Sequence, residues 1–191
     1  MFPTLSRGLR SAAVVVAVSV SVVAAIATPV HAAAWVFFDN FESNPSAHWW
    51  FENGPGSFDA SGPPYYVPHS GSAFAAMYRD TVGWTTVDRA LHLPTGLTKS
   101  CRVEAWFAET VGTDYSIEVI NPATWTYVAA VGFTNLDTFI WVQRSLSWVG
   151  GPTDVVVRFG MSPHDGALPS PPFGPWISLG VDDVRVVCQT F

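Results

Sequence analysis

The chain has 191 residues, 49 % of them hydrophobic and only 13 % charged, with a formal net charge of −6. That length fits one domain of ordinary size. The apolar and aromatic content excludes a disordered chain. A single lysine, Lys99, among nine basic residues leaves no electrostatic footprint for nucleic acid.

The amino-terminal region stands apart. Arg7 and Arg10 precede an uncharged, Ala- and Val-rich run over residues 12–28, and Val30-His31-Ala32 has the small-residue pattern of a cleavage site. Residues 1–32 read as a secretory signal peptide, with Ala32-Ala33-Ala34 an equally good cleavage site. An uncleaved anchor is the alternative, but the run is at the short limit for a membrane span. The expectation is a secreted, extracellular domain over residues 33–191, with no membrane insertion after cleavage. Removing residues 1–32 takes two of the nine basic side chains and none of the fifteen acidic ones, so the remainder is more acidic still.

Beyond residue 33 the apolar residues alternate in short runs broken by Gly, Pro, Asn and Asp, which is the signature of strands. In chain order the pattern predicts strands over 34–42, 73–79, 85–93, 101–109, 114–120, 125–133, 140–148, 153–161 and 181–188. Val155, Val157, Phe159 and Met161 share one face of their strand, with Asp154, Arg158 and Gly160 on the other. Such half-buried strands with close turns imply an all-β, two-sheet antiparallel β-sandwich. Residues 44–68 and 162–180 are rich in Gly and Pro and read as long loops, which are often functional.

Two cysteines in an exported chain are expected to pair. Cys101 begins one predicted strand and Cys188 ends the last, so antiparallel neighbours would bring them together. Asp182 has the parity of Val184 and Val186 and is expected to point inward. A buried carboxylate needs a partner or a metal, and several carboxylates with backbone carbonyls suit calcium. Trp49, Trp50, Tyr65, Tyr66, Trp84, Trp125, Tyr127, Trp141 and Trp176 sit in or beside loops or at strand starts. Enzyme signatures are poor: there is no Gly-x-Ser-x-Gly, His-Glu-x-x-His or Cys-x-x-Cys. Glu104, Glu109 and Glu118 are the candidates for a glycosidase pair, but they lie on opposite parities or on solvent faces.

Asp39-Asn40-Phe41-Glu42, followed by Trp49, resembles the opening of jelly-roll carbohydrate-binding modules and of MAM adhesion domains. His69-Ser70-Gly71-Ser72-Ala73 is similar to a turn of both groups, and Leu179-Gly180-Val181-Asp182-Asp183-Val184 to their last strand. The run from Ser100 to Phe107 resembles the central MAM strand, whose cysteine pairs with the one matching Cys188. The usual first MAM cysteine pair is missing. The resemblance implies a jelly roll and a structural calcium ion (Ca²⁺) held by Glu42, the Ser70–Gly71 region and Asp182, with Asp183 as an extra ligand.

The resulting expectation is a non-catalytic module that binds glycan, chiefly polysaccharide. A MAM-like protein–protein adhesion module is the second reading and a secreted glycoside hydrolase the third. Trp141 faces away from the expected core beside Gln143, so it is the expected stacking ring. Arg158 and Glu118 are expected to bond sugar hydroxyls, with the Trp49–Trp50 loop as a cap.

Overall fold

The structure is a computed structural model and describes residues 34–58, 67–95, 99–134, 140–168 and 176–190. The expected signal peptide, Tyr65 and Tyr66 lie outside the described residues. Among those described, eleven strands form two antiparallel sheets packed face to face, the sandwich of a jelly roll. The first sheet runs β3 (Gly56–Ser57), β4 (Ala75–Arg79), β11 (Ile177–Thr190), β6 (Lys99–Glu109), β9 (Val142–Val149), with β1 (Ala34–Asp39) also on β11. The second runs β2 (Trp49–Glu52), β5 (Thr85–His92), β10 (Asp154–Pro163), β7 (Thr113–Asn121), β8 (Thr126–Thr134).

All nine expected strands are present, with shifted ends. β1 stops at Asp39 because the Asp39 carboxylate accepts the Phe41 N–H at 2.8 Å and Phe41 turns to φ 61°. That turn drives the Phe41 ring into the core against Trp49. The expected loop over 44–68 contains β2 and β3, so it is partly sheet. The second expected loop is shortened, since β10 runs on to Pro163 and β11 starts at Ile177.

The core lies between the sheets. Val103, Ala105 and Phe107 of β6 and Leu179, Val181, Val184 and Val186 of β11 meet Tyr115, Ile117 and Val119 of β7 and the four apolar residues of β10. Cys101 and Cys188 are directly opposed on β6 and β11 and are disulfide-bonded. On its other edge β11 carries two partners end to end: β4 along residues 177–181 and β1 along 184–189. A bulge at Asp182–Arg185, with Asp183 at φ 47°, separates them. The bulge also corrects the expected parity of Asp182. Val181 and Val184 both face the core, and Asp182 sits opposite Trp106 on the other face.

Candidate functional site

Alternation along the second sheet sends one set of side chains into the core and the other to an outer face. On that face a single row crosses the strands: Trp50 on β2, Asp88 on β5, Arg158 on β10 and Glu118 on β7. The Arg158 Nε donates to both oxygens of the fully buried Asp88, at 2.9 and 3.0 Å. One Nη of Arg158 reaches Glu52 at 2.9 Å, and Trp50 Nε1 donates to the other Glu52 oxygen at 3.0 Å. The Ser116 hydroxyl donates to Glu118 at 2.9 Å. Burial pushes the Asp88 carboxyl above its ordinary range, and Arg158 pulls it back. The bond to Asp88 in turn holds the guanidinium charged, against its own burial.

Beside this row β10 has a glycine. A Cβ at Gly160 would lie 3.4 Å from two carbons of the Trp84 ring, so the indole rests on bare backbone. Trp84 nevertheless keeps 50 % of its surface exposed. It lines a groove of about 370 Å³ together with Asn53, Thr86, Glu118, Tyr127 and Arg158. Trp125 lies nearby, its ring 5.9 Å from the Arg158 guanidinium. The walls are held from behind by Arg79, whose guanidinium donates to the carbonyl oxygens of Asn53, Thr81, Val82 and Trp84. One cation thereby gathers two loops, and Gly83 beside it sits at φ 143°, a backbone conformation that residues with a Cβ rarely adopt. An exposed ring edged by hydrogen-bonding groups is the chemistry that grips a ligand with an apolar face and a polar rim.

The expected sugar-binding set is split by the fold. Arg158 and Glu118 lie on the outer face of the second sheet, whereas Gln143 is on β9 in the first sheet, and Trp141 immediately precedes it. Parity placed each side chain outward correctly but carries no information on which sheet it joins. Trp141 is not an open ring. Its Nε1 donates to the Val67 carbonyl at 2.8 Å, and its ring packs edge-on against Phe74 and near His69. His69 in turn stacks on Trp106 at 3.9 Å, so these rings pin the segment before β4 onto the first sheet. The Trp49–Trp50 cap is also divided. Trp49, 2 % exposed, is core, and its Nε1 donates to Asp39 at 2.9 Å, while Trp50 belongs to the outer row. Nor do the three glutamates considered for hydrolysis converge. Glu104 pairs with Arg102 and Arg185 on the first sheet, Glu109 is buried at the end of β6, and Glu118 is on the second sheet.

The expected calcium ligands do come together, at the β11 bulge. Glu42 accepts the Ser72 and Ala73 N–H groups on one oxygen and the Ser72 hydroxyl on the other, all within 2.7 Å, which lowers its pKa. Asp182 accepts the Ser70 and Asp183 N–H groups at 3.0 and 2.7 Å, and burial pushes its pKa up to about 6. Asp183 takes the Ser70 hydroxyl on one oxygen and His69 Nδ1 on the other. Gly71 sits at φ 62° against Glu42, where a Cβ would meet the carboxylate at 2.3 Å. In this arrangement each carboxylate oxygen faces a protein donor. Among the described residues no group of three or more His, Cys, Asp or Glu is disposed to hold a metal. The residues so placed form a hydrogen-bonded clasp tying the end of β1, the approach to β4 and the β11 bulge.

Sequence reasoning missed Asn53, Glu52, Thr86 and Asp88, and did not single out Trp84 among the loop aromatics. Asp88 had a signal, since Thr86 and Asp88 alternate with the core residue Val87. Gly160 had one as well, as the lone glycine between two large apolar residues in a strand, which marks close approach of another group.

No family model and no curated protein matches the chain. Solved structures share its fold. TmCBM61, in complex with β-1,4-galactotriose, is 14 % identical with a TM-score of 0.52, covering 78 % of this chain and 97 % of that one. The CBM22-1 xylan-binding domain of Xyn10C from Paenibacillus barcinonensis is 12 % identical with a TM-score of 0.53, covering 84 % and 98 %. The CBM22-1-CBM22-2 tandem from the same protein is 9 % identical with a TM-score of 0.51, covering 86 % of this chain and 48 % of that one.

Proposed function

We propose that this domain is an exported, non-catalytic carbohydrate-binding module that holds a polysaccharide chain on the outer face of its second sheet. The observation that carries the reading is the Trp84 ring, half exposed and lying over Gly160 in a groove edged by Asn53, Thr86, Glu118 and Arg158. A pyranose has apolar C–H faces and a hydroxyl rim, which match a ring and its polar surround. The groove is shallow, so affinity on the order of 10–1000 μM is expected. The Cys101–Cys188 bond and the reading of residues 1–32 support export to an oxidising compartment. Fold alone does not fix function, so binding itself is the test. Affinity electrophoresis in gels containing β-1,4-galactan or xylan, the glycans of the two neighbours above, is the first panel, widened to other neutral and acidic polysaccharides. Trp84→Ala should lose retention while keeping the wild-type melting temperature. Undiminished retention of this variant would refute the assignment of the site.

A further inference from the structure

We propose that the groove is built for uncharged glycans and turns acidic ones away, with Glu118 as the residue that sets this preference. The inference rests on the glycan reading above and names the class of sugar that the site takes. Its first support is that the cations are already committed. An incoming carboxylate is gripped best by a two-pronged guanidinium. The Nε side of Arg158 is taken by Asp88, and Nη2 is shared between Asp88 and Glu52. Nη1 is the nitrogen of Arg158 left without an acceptor among the described residues. It can serve one hydroxyl oxygen but gives no second prong. Arg79, the other guanidinium at the groove, turns its donors onto loop carbonyls.

The second support is the acceptor left over. Glu118 is only 8 % exposed and lines the groove. Ser116 satisfies Oε1, and among the described residues no donor reaches Oε2. A nearly buried carboxylate with a free oxygen asks for a donor from the ligand, and a sugar hydroxyl is one. A uronic acid brings the same charge as Glu118, Glu52 and Asp88 instead. Like charges brought within about 4 Å repel by at least about fivefold in Kd even at the dielectric of water, and by more in a partly dry groove.

The matched probes are the neutral polysaccharide retained by the wild-type protein and, as its oxidised form, the same hexose polymer oxidised at C6 to its uronate or, for xylan, whose pentose has no C6, the xylan bearing glucuronate branches, compared by calorimetry at low and high salt. The expected result is at least fivefold weaker binding of the oxidised form. Raising the salt should narrow that gap, because exposed charges are screened. Glu118→Gln should bring the two forms closer together, and Glu52→Gln, at a more exposed position, provides a second reading if the first variant folds poorly. Equal or tighter binding of the oxidised form, with Trp84 still required, would overturn the inference and leave the glycan function standing. A gap that survives in both variants would overturn the role of Glu118. Retention of acidic polysaccharides alone would overturn the preference, and retention of none of the panel would overturn the glycan function with it.

Discussion

Gly160 offers a way to move the Trp84 ring without touching it. A Cβ added there lies 3.4 Å from two ring carbons and 3.0 Å from the Ser116 hydroxyl oxygen, so alanine asks only for small adjustments. Valine reaches about 1.5 Å further, one carbon–carbon bond, and leaves no room for the ring to lie on the strand. The indole must tilt off the sheet. A tryptophan side chain carries about 150–250 Å², and Trp84 has 50 % exposed. Covering some 100 Å² at about 25 cal/mol/Å² is worth up to ~2.5 kcal/mol. Losing half of that contact weakens binding about tenfold. Stability should respond differently. Relief of the glycine's chain entropy in a strand returns ~0.5–1 kcal/mol, which offsets the lost packing of a half-exposed ring. Gly160→Val is therefore expected to bind the retained polysaccharide about tenfold more weakly, measured by calorimetry. Its melting point should stay near that of the wild type, and acrylamide should quench its tryptophan fluorescence more strongly. Wild-type affinity in this variant would refute the role given to the ring.

Four further outcomes are expected. Replacing Cys101 and Cys188 by alanine frees a loop spanning a sequence separation of 87; chain-entropy reasoning puts the loss at roughly 4–5 kcal/mol, or about 10–15 °C in the melting temperature by calorimetry. Trp141→Ala should lower stability by ~2–3 kcal/mol in urea titrations, through the lost ring contacts and the bond to Val67, while glycan retention persists. Melting curves with and without chelator should superimpose if the acidic clasp is hydrogen-bonded alone; a lower midpoint in chelator would mean that Glu42, Asp182 and Asp183 turn from their N–H donors onto calcium. The His164 pKa is raised chiefly by its bond to Asp114, with Asp165 adding to the shift, so NMR should find it above the ordinary value and lowered toward it in Asp114→Asn; the ion pair favours the fold while His164 is protonated and Asp114 ionised, and this contribution fades as pH rises through the His164 pKa.

The strands were legible because one face of each is apolar and the other is not, as in β10. β2 was not, because Trp49-Trp50-Phe51 shows no contrast between its buried and exposed members. The disulfide was legible from strand ends in an even count of cysteines. The binding face was half legible. Outward parity is a local property, and it held for Arg158, Glu118 and Gln143. Sheet membership is set by long-range pairing, and consecutive strands β9 and β10 enter different sheets. That change of sheet separates Gln143 from Arg158, and no local pattern announces it. The Asp182 parity failed for a different reason, since one left-handed residue at Asp183 reverses every later side chain relative to the earlier ones.

The pairing of β1 with the far half of β11 sets how the domain carries load. Ala34 lies opposite Gln189, so a pull between these two residues acts at one end of the ladder and breaks its backbone pairs one after another. Peeling of this kind needs far less force than sliding two strands past each other. The next residue along β11, Cys188, is bonded to Cys101 and ties β11 covalently to β6. Tension entering at Gln189 therefore passes into the middle of the first sheet, and β1 is the piece that comes away. The second sheet, with the Trp84 groove, stays outside that line of force while the first strand yields.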